Sequence, residues 1–160
     1  MKVGQSIDIH PLTPARPLIL GGVTIPHHLG LAGHSDADVL VHAIAEAIIG
    51  ALGLGDLGTH FPDNDDTNKD RSSLDILAEV YTMMSANGYE IGNIDSLVII
   101  EKPHLSPYVA SMRENIAGAL NCEPFLVNIK ATRGEGLGFV GEEKGVVATA
   151  VVLLKEIEDE

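Results

Sequence analysis

The chain has 160 residues, of which 45% are hydrophobic and 4% aromatic, and it carries a net charge of −13. That length gives a single domain, 1–160, with enough Leu, Ile, Val and Ala to bury a core, and it excludes a disordered chain. The acidic balance disfavours nonspecific nucleic-acid binding and docking on anionic membranes. Cys122 stands alone, so no internal disulfide is expected and a reducing, cytoplasmic setting follows. No apolar leader precedes the first strand. The longest apolar run, Val39–Leu54, is interrupted by His42 and Glu46 and is too short to span a bilayer.

In chain order, Lys2–His10 reads as a strand and Leu18–Ile25 as a hairpin around Gly21 and Gly22, followed by a loop over Pro26–Gly33. Ser35 as N-cap with Asp38 three residues on predicts a helix over 36–53. Gly55–Asp70, rich in Gly, Pro, Asn and Asp, reads as loop, and Ser72 caps a second helix ending near Asn87 and Gly88. Asn93–Glu101 is a strand, and Ser106 and Pro107 open a third helix reaching Leu120. Phe125–Ala131 is a strand, a Gly-rich loop covers Gly134–Gly145, and Val146–Leu154 is the last strand before a solvated acidic tail, Glu156–Glu160. The irregular alternation predicts an α+β fold: a mixed β-sheet with helices packed on one face. Because Val146–Leu154 is apolar on both faces, the second face needs a subunit partner, which points to a homo-oligomer.

The chemistry concentrates in residues 34–63 and the first strand. Asp8 and His10 are two apart, so they project from one side of a strand. On a helix, His34, Asp38, His42 and Glu46 would share one stripe. Asp8, His10 and His42 make one carboxylate and two imidazoles, a three-ligand set with an open position, which is the pattern of a catalytic zinc. A helical His more often packs than ligates, and Asp38 reads equally as a helix-capping carboxylate. Glu46 orients a ligating imidazole from behind, or is surface. Asp56, in Gly55-Asp56-Leu57-Gly58, and Asp63, in Phe61-Pro62-Asp63-Asn64-Asp65, either build turns or hold hydroxyls or a hydrated divalent ion.

Lys130 to Phe139 is a strand end running into a glycine loop whose amides can close round a phosphate, with Lys130, Thr132 and Arg133 adding donors and charge. It matches neither a P-loop nor a dinucleotide fingerprint. Glu135 is placed to hold a phosphate-bridging Mg²⁺. In Lys102-Pro103-His104, Pro103 either ends the strand or helps present backbone groups to a planar base. An acidic chain that holds an anion with metals and amides points to phosphoryl transfer assisted by two metals.

Taken together, Asp8-Ile9-His10, Leu18–Pro26, His34-Ser35-Asp36-Ala37-Asp38-Val39, His42-Ala43, Leu54–Gly58, Phe61–Asp65, Asn128–Thr132 and Glu135–Phe139 resemble the 2-C-methyl-D-erythritol 2,4-cyclodiphosphate synthase family, collinearly over the whole chain. The resemblance implies a homotrimer with sheets facing inward and active sites between subunits. It implies Zn²⁺, or another divalent transition metal, on Asp8, His10 and His42, and Mg²⁺ or Mn²⁺ held partly by Glu135. The substrate would be 4-diphosphocytidyl-2-C-methyl-D-erythritol 2-phosphate, cyclised with release of CMP in non-mevalonate isoprenoid synthesis. Asp8, Ile9 and His10 would line it. His34 and Ser35 would contact phosphates, with His34 stabilising the transition state. Asp56, Leu57 and Gly58, with Phe61, Pro62, Asp63, Asn64 and Asp65, would hold the erythritol end. Ile100, Glu101, Lys102, Pro103, His104, Leu105 and Ser106, with Ala131 and Thr132, would hold the cytidine from a neighbouring subunit. Arg133, Gly134, Phe139 and Glu142 complete the implied wall.

Five positions depart from the family pattern. Arg133 stands where a Thr is credited with transition-state stabilisation. Glu142 replaces an Arg that faces the threefold cavity, so an anion site for isoprenoid diphosphate there is expected to be lost. Ser6 and Ile7 replace Gly and an aromatic, and Glu46 replaces Asp. Two other functions use the same residues: a metal-dependent phosphohydrolase, and a metal- or isoprenoid-phosphate-binding protein without turnover.

Overall fold

A computed structural model describes residues 1–159. Strand β1 (Lys2–Thr13) leads into a hairpin, β2 (Leu18–Leu20) and β3 (Val23–Ile25), and a short strand β4 (Gly30–Leu31). Helix α1 (Val39–Ala51), the one-turn helix α2 (Leu57–His60) and helix α3 (Ser73–Ala86) follow. Strand β5 (Tyr89–Ile99), helix α4 (Val109–Ala119), strand β6 (Val127–Thr132), the one-turn helix α5 (Gly138–Gly141) and strand β7 (Gly145–Glu156) complete the order. The main sheet runs β4-β1-β7-β5-β6. Its β5–β6 pair is parallel and its other pairs are antiparallel, so the sheet is mixed and the fold is α+β as expected.

Strand alternation decides the faces. Val146, Ala148, Ala150, Val152 and Leu154 of β7 are buried against the helix layer, where α1 supplies Val39, Leu40, Ile44, Ile48 and Ile49. Gly4 lets α1 lie directly on β1, since a Cβ there would sit 1.9 Å from the Ala47 carbonyl oxygen. The opposite face carries cross-strand rows that are apolar apart from Thr149, Ile9–Val147–Ile99 and Ile7–Thr149–Leu97. Ile9 is 54% exposed and Ile7 57%, and Val3 and Val151 are exposed with them, so the apolar side chains at this part of the face have no cover in one chain.

Helix α1 starts three residues later than the Ser35 cap predicted. Ala37 adopts a left-handed φ of 58°, which the helix cannot pass through, and Asp38 is the N-cap, accepting from the Val41 amide. His34 and Asp38 therefore do not share a helical stripe with His42 and Glu46. Asp38 is the capping carboxylate. Its oxygens also accept the Gly21 amide at 3.0 Å and the Gly22 amide at 2.7 Å, from the β2–β3 turn where both glycines have positive φ.

Several boundaries also move. The expected loop 55–70 contains α2 and a 3₁₀ turn at Asp66–Asn68, and the third helix begins as a 3₁₀ turn at Ser106–Tyr108. The Gly-rich loop contains α5, and the loop 26–33 contains β4. Of the acidic tail, Glu156 ends β7 and Glu160 lies outside the described residues. Among the described residues no helix is long and apolar enough to cross a membrane.

Candidate metal centre and substrate cavities

Strand β1 and helix α1 bring Asp8, His10 and His42 together, their ligand atoms all within 4.8 Å of one another. Asp8 Oδ2 lies 2.9 Å from His10 Nε2 and 3.4 Å from His42 Nδ1. Each imidazole is held by its other nitrogen. His10 Nδ1 lies 3.0 Å from the Ala32 carbonyl, to which it donates, leaving Nε2 toward Asp8. His42 Nε2 lies 2.8 Å from Ser73 Oγ and 3.2 Å from Ser35 Oγ. The Ser73 hydroxyl in turn donates to Asp36, whose other oxygen accepts the Ser73 amide at 3.0 Å. This His42–Ser73–Asp36 chain fixes the ring with Nδ1 facing the cluster.

Burial works to raise the Asp8 carboxyl, but hydrogen bonds and charge from His10 and His42 outweigh it and hold Asp8 below the usual carboxylate range. Burial likewise works to lower His10, while Asp8, the Ala32 carbonyl and the charge of Asp63 raise it above its ordinary value. Cationic character is thus favoured at the point where the three side chains meet. Two oriented imidazoles and an ionised carboxylate fit a borderline divalent transition metal. Ser73→Ala is expected to weaken zinc binding 10–100-fold by releasing His42. Competition with a chromogenic chelator measures this, and unchanged affinity in both Ser73→Ala and Asp36→Asn would reject the buttress.

The cluster forms one wall of a cavity of about 360 Å³, whose lining includes His34, Ser35, Leu57, Gly58, Phe61 and Asp63. His34 Nε2 contacts the Asp65 carbonyl at 3.1 Å, and Arg16 donates to the Gly33 and Ser35 carbonyls at 2.9 and 2.6 Å. These bonds lock the histidine loop onto its neighbours. Asp56 caps α2, with its Oδ1 accepting from the Thr59 hydroxyl and amide, and Asp65 caps the 3₁₀ turn through Thr67 in the same way. Those hydroxyl and amide bonds lower both carboxyls. The turn-forming reading therefore describes Asp56 and Asp65 in the structure, whereas Asp63 faces the cavity. Asp56, Pro62, Asn64 and Asp65 lie outside its lining, and Ile9 points to the opposite face of the sheet.

A larger cavity of about 720 Å³ lies between residues 100–106 and the end of β6, lined also by Ala131, Thr132, Arg133 and Glu135. The Glu101 carboxylate accepts the Gly134 amide at 2.9 Å, and the Ile100 amide donates to the Thr132 carbonyl at 3.0 Å, so the two segments form one unit. The Lys102–Pro103 peptide is cis. The two cavities share no residue: Glu135 belongs to the second, away from Asp8, His10 and His42. Phe139 and Glu142 line neither.

The YgbB family model matches residues 1–155. This chain belongs to the YgbB family. A 2-C-methyl-D-erythritol 2,4-cyclodiphosphate synthase of Clostridioides difficile (strain 630) is 51% identical over 154 residues, 96% of each chain. The bifunctional IspDF of Campylobacter jejuni superposes with a TM-score of 0.94 at 39% identity, covering 98% of this chain. This chain spans 42% of that longer protein. IspF of Plasmodium falciparum, solved as a CDP complex, gives a TM-score of 0.86 at 33% identity, covering 98% of this chain and 97% of that one.

Four departures from the YgbB-family pattern have local partners. Ser6 and Glu46 meet each other: the Ser6 hydroxyl donates to Glu46 Oε2 at 2.6 Å, and the Leu57 amide donates to Oε1 at 3.2 Å. Glu46 therefore ties α2 to the β1–α1 pair and does not orient an imidazole. Glu142 pairs with Lys144 at 2.9 Å, which offsets its charge. Arg133 lies 3.8 Å from Glu135 at the mouth of the larger cavity. Ser73, Asp36 and the Ala32 carbonyl escaped the sequence reading, because no spacing links them to the residues they hold.

Proposed function

We infer that this YgbB-family chain converts 4-diphosphocytidyl-2-C-methyl-D-erythritol 2-phosphate to 2-C-methyl-D-erythritol 2,4-cyclodiphosphate with release of CMP. It is a phosphorus–oxygen lyase of non-mevalonate isoprenoid precursor synthesis. The convergence of Asp8, His10 and His42 beside His34, Ser35 and Asp63, in a chain matched along its length to synthases, carries this reading.

An oxygen of the 2-phosphate attacks the β-phosphorus. The new O–P bond closes an eight-membered ring as the bond from the β-phosphorus to the bridging oxygen breaks, and CMP leaves with that electron pair. No protein nucleophile is needed, so the chain contributes positioning and charge neutralisation. Zn²⁺ or another divalent transition metal on Asp8, His10 and His42 would polarise a β-phosphate oxygen, and Mg²⁺ or Mn²⁺ held partly by Glu135 would offset the diphosphate charge. His34 and Ser35 donate to the phosphates. Asp63 accepts from erythritol hydroxyls, while backbone groups of residues 100–106 and 131–132 hold the cytidine. Arg133 brings a cation to the diphosphate where the family uses a hydroxyl.

A homotrimer accounts for two observations. Metal cluster and base-sized cavity lie apart in one chain, and an apolar sheet face has no cover. Packing the sheets inward buries that face and sets the larger cavity of one subunit against the metal cluster of another. Residues 1–160 act as one synthase domain, and the lone Cys122 suits the cytoplasm.

The test is ³¹P NMR of the protein with substrate and Mg²⁺, with and without a zinc chelator. Coupled doublets of a cyclic diphosphate appearing with CMP, and suppressed by chelation, are expected. Inorganic phosphate without a ring would make the protein a hydrolase, and unchanged substrate with zinc bound would make it a binding protein. Arg133→Thr in the same assay is expected to lose turnover, and wild-type rates would remove Arg133 from the mechanism.

A further inference from the structure

A second set of metal-ligating side chains converges away from Asp8. His27 and His28 lie between β3 and β4, and Glu143 lies in the turn between α5 and β7; each brings a ligand atom within 4.8 Å of the other two. Far apart in sequence, the two segments meet because both flank the same end of β1. Strand β4 pairs with Leu12 and Thr13, Gly145 pairs with Pro11, and the Leu12 amide donates to the Lys144 carbonyl at 2.9 Å.

The turn is held firmly by Glu143 and Lys144 amides on the Val140 and Phe139 carbonyls, at 3.0 and 2.8 Å. Glu143 takes a left-handed φ of 60°, a conformation that costs a non-glycine residue and persists only where its surroundings demand it. The His27 and His28 rings lie 4.4 Å apart, tilted.

Two atoms of this cluster lack what folding normally provides. His27 Nε2 and Glu143 Oε1 are both buried without a hydrogen-bond partner. Buried polar atoms are paired in native proteins, and the exceptions mark strain, chemistry or a bound ion. An ion held among the three side chains would give both atoms a partner. Two nitrogens and an oxygen suit Zn²⁺ and its borderline neighbours; Mg²⁺ and Ca²⁺ take oxygen sets.

We propose that His27, His28 and Glu143 form a second divalent transition-metal site, distinct from the cluster at Asp8, that pins the β3–β4 segment to the turn before β7. The site is independent of the synthase reaction and needs no substrate.

Metal-stripped full-length protein, titrated with Zn²⁺ against a competing chromogenic chelator, tests it. Wild type is expected to bind two zinc ions per chain, one for each cluster. His28→Gln and Glu143→Gln each retain only the Asp8-cluster ion, and His42→Ala retains only the second. Cobalt absorption of the His42→Ala protein should show a bound chromophore that vanishes when Glu143→Gln is added. Circular dichroism confirms folding of each variant, and turnover of His28→Gln at saturating zinc stays at the wild-type rate. A single zinc ion in wild type overturns the proposal. So does a second ion that survives both His28→Gln and Glu143→Gln, since it would then sit on surface carboxylates.

Discussion

Asp8→Asn is expected to cut turnover by about 10³-fold and to abolish stoichiometric zinc at the catalytic cluster. The carboxylate oxygen that faces His10 at 2.9 Å and His42 at 3.4 Å is the only anionic donor of the set. An amide of the same size leaves the cavity shape intact while removing the charge that holds a dication between two neutral rings. Lewis-acid stabilisation by a metal is worth several kcal/mol, and about 4 kcal/mol corresponds to roughly 10³ in rate. Metal analysis of the purified variant alongside CMP release decides the matter. Turnover within about threefold of wild type in zinc-free protein would detach the cluster from catalysis, since the loss expected of the metal is far larger.

The same substitution has a pH signature in the metal-free protein. Asp8 is held below the carboxylate value of 3.8, so its contribution is present above that value and is lost as pH falls through the lowered folded value. His10 is held above 6.5, so its contribution is present below 6.5 and is lost as pH rises through the raised folded value. Wild type should exceed Asp8→Asn in thermal stability most between these two limits, and the gap should shrink on the alkaline side. A gap constant from pH 4 to pH 9 would contradict the pairing.

Asp38→Asn is expected to lower stability by about 3 kcal/mol and the melting temperature by about 10 °C. The side chain is fully buried and receives three amides, from Gly21, Gly22 and Val41. Asparagine can offer only one oxygen to them. Its amino group would face the Gly22 amide, donor against donor, and leave it unpaired, which is the expensive kind of buried polar loss. Shape is unchanged, so a cavity contributes nothing.

Burial, with the charge of Asp36, raises the Asp38 carboxyl to about 6 even though the three amides oppose this. A raised folded value means that the native state binds the proton more tightly. Wild type therefore gains stability as pH falls from above 6 toward the unfolded value near 3.8, and the difference from Asp38→Asn widens in that range. Melting curves at pH 7.5 and pH 5 read both effects. A shift under about 2 °C at either pH would show that the hairpin turn and helix cap do not depend on this carboxylate.

The sequence by itself determined the elements whose causes are local. Apolar runs marked β5 and β7, a mixed strand-like pattern marked β1, glycines marked the β2–β3 turn, and Ser72 marked the start of α3. It also determined the ligand chemistry of Asp8, His10 and His42, because a strand puts residues two apart on one side whatever the strand packs against. The loop that carries Asp63 read as turn or ligand site, and only the family resemblance pointed to the segment 100–106 as a whole. The start of α1 was not legible. Ser35 satisfies the rule for an N-cap as well as Asp38 does, and only the two amides arriving from the distant hairpin decide for Asp38.

Tertiary structure alone decided everything that depends on register between separated segments. Gly4 sets the distance at which α1 crosses β1, and with it the meeting of His42 and Asp8. The Ser73–Asp36 buttress depends on where α3 docks, and the Ser6–Glu46 bond on which face of α1 lies over β1. The two cavities are apart because β7 lies between β1 and the β5–β6 pair, and His27 and His28 meet Glu143 because β1 pairs with both β4 and β7. Such contacts are paid for by loop closure and core burial spread over the whole chain, so no window of sequence contains them.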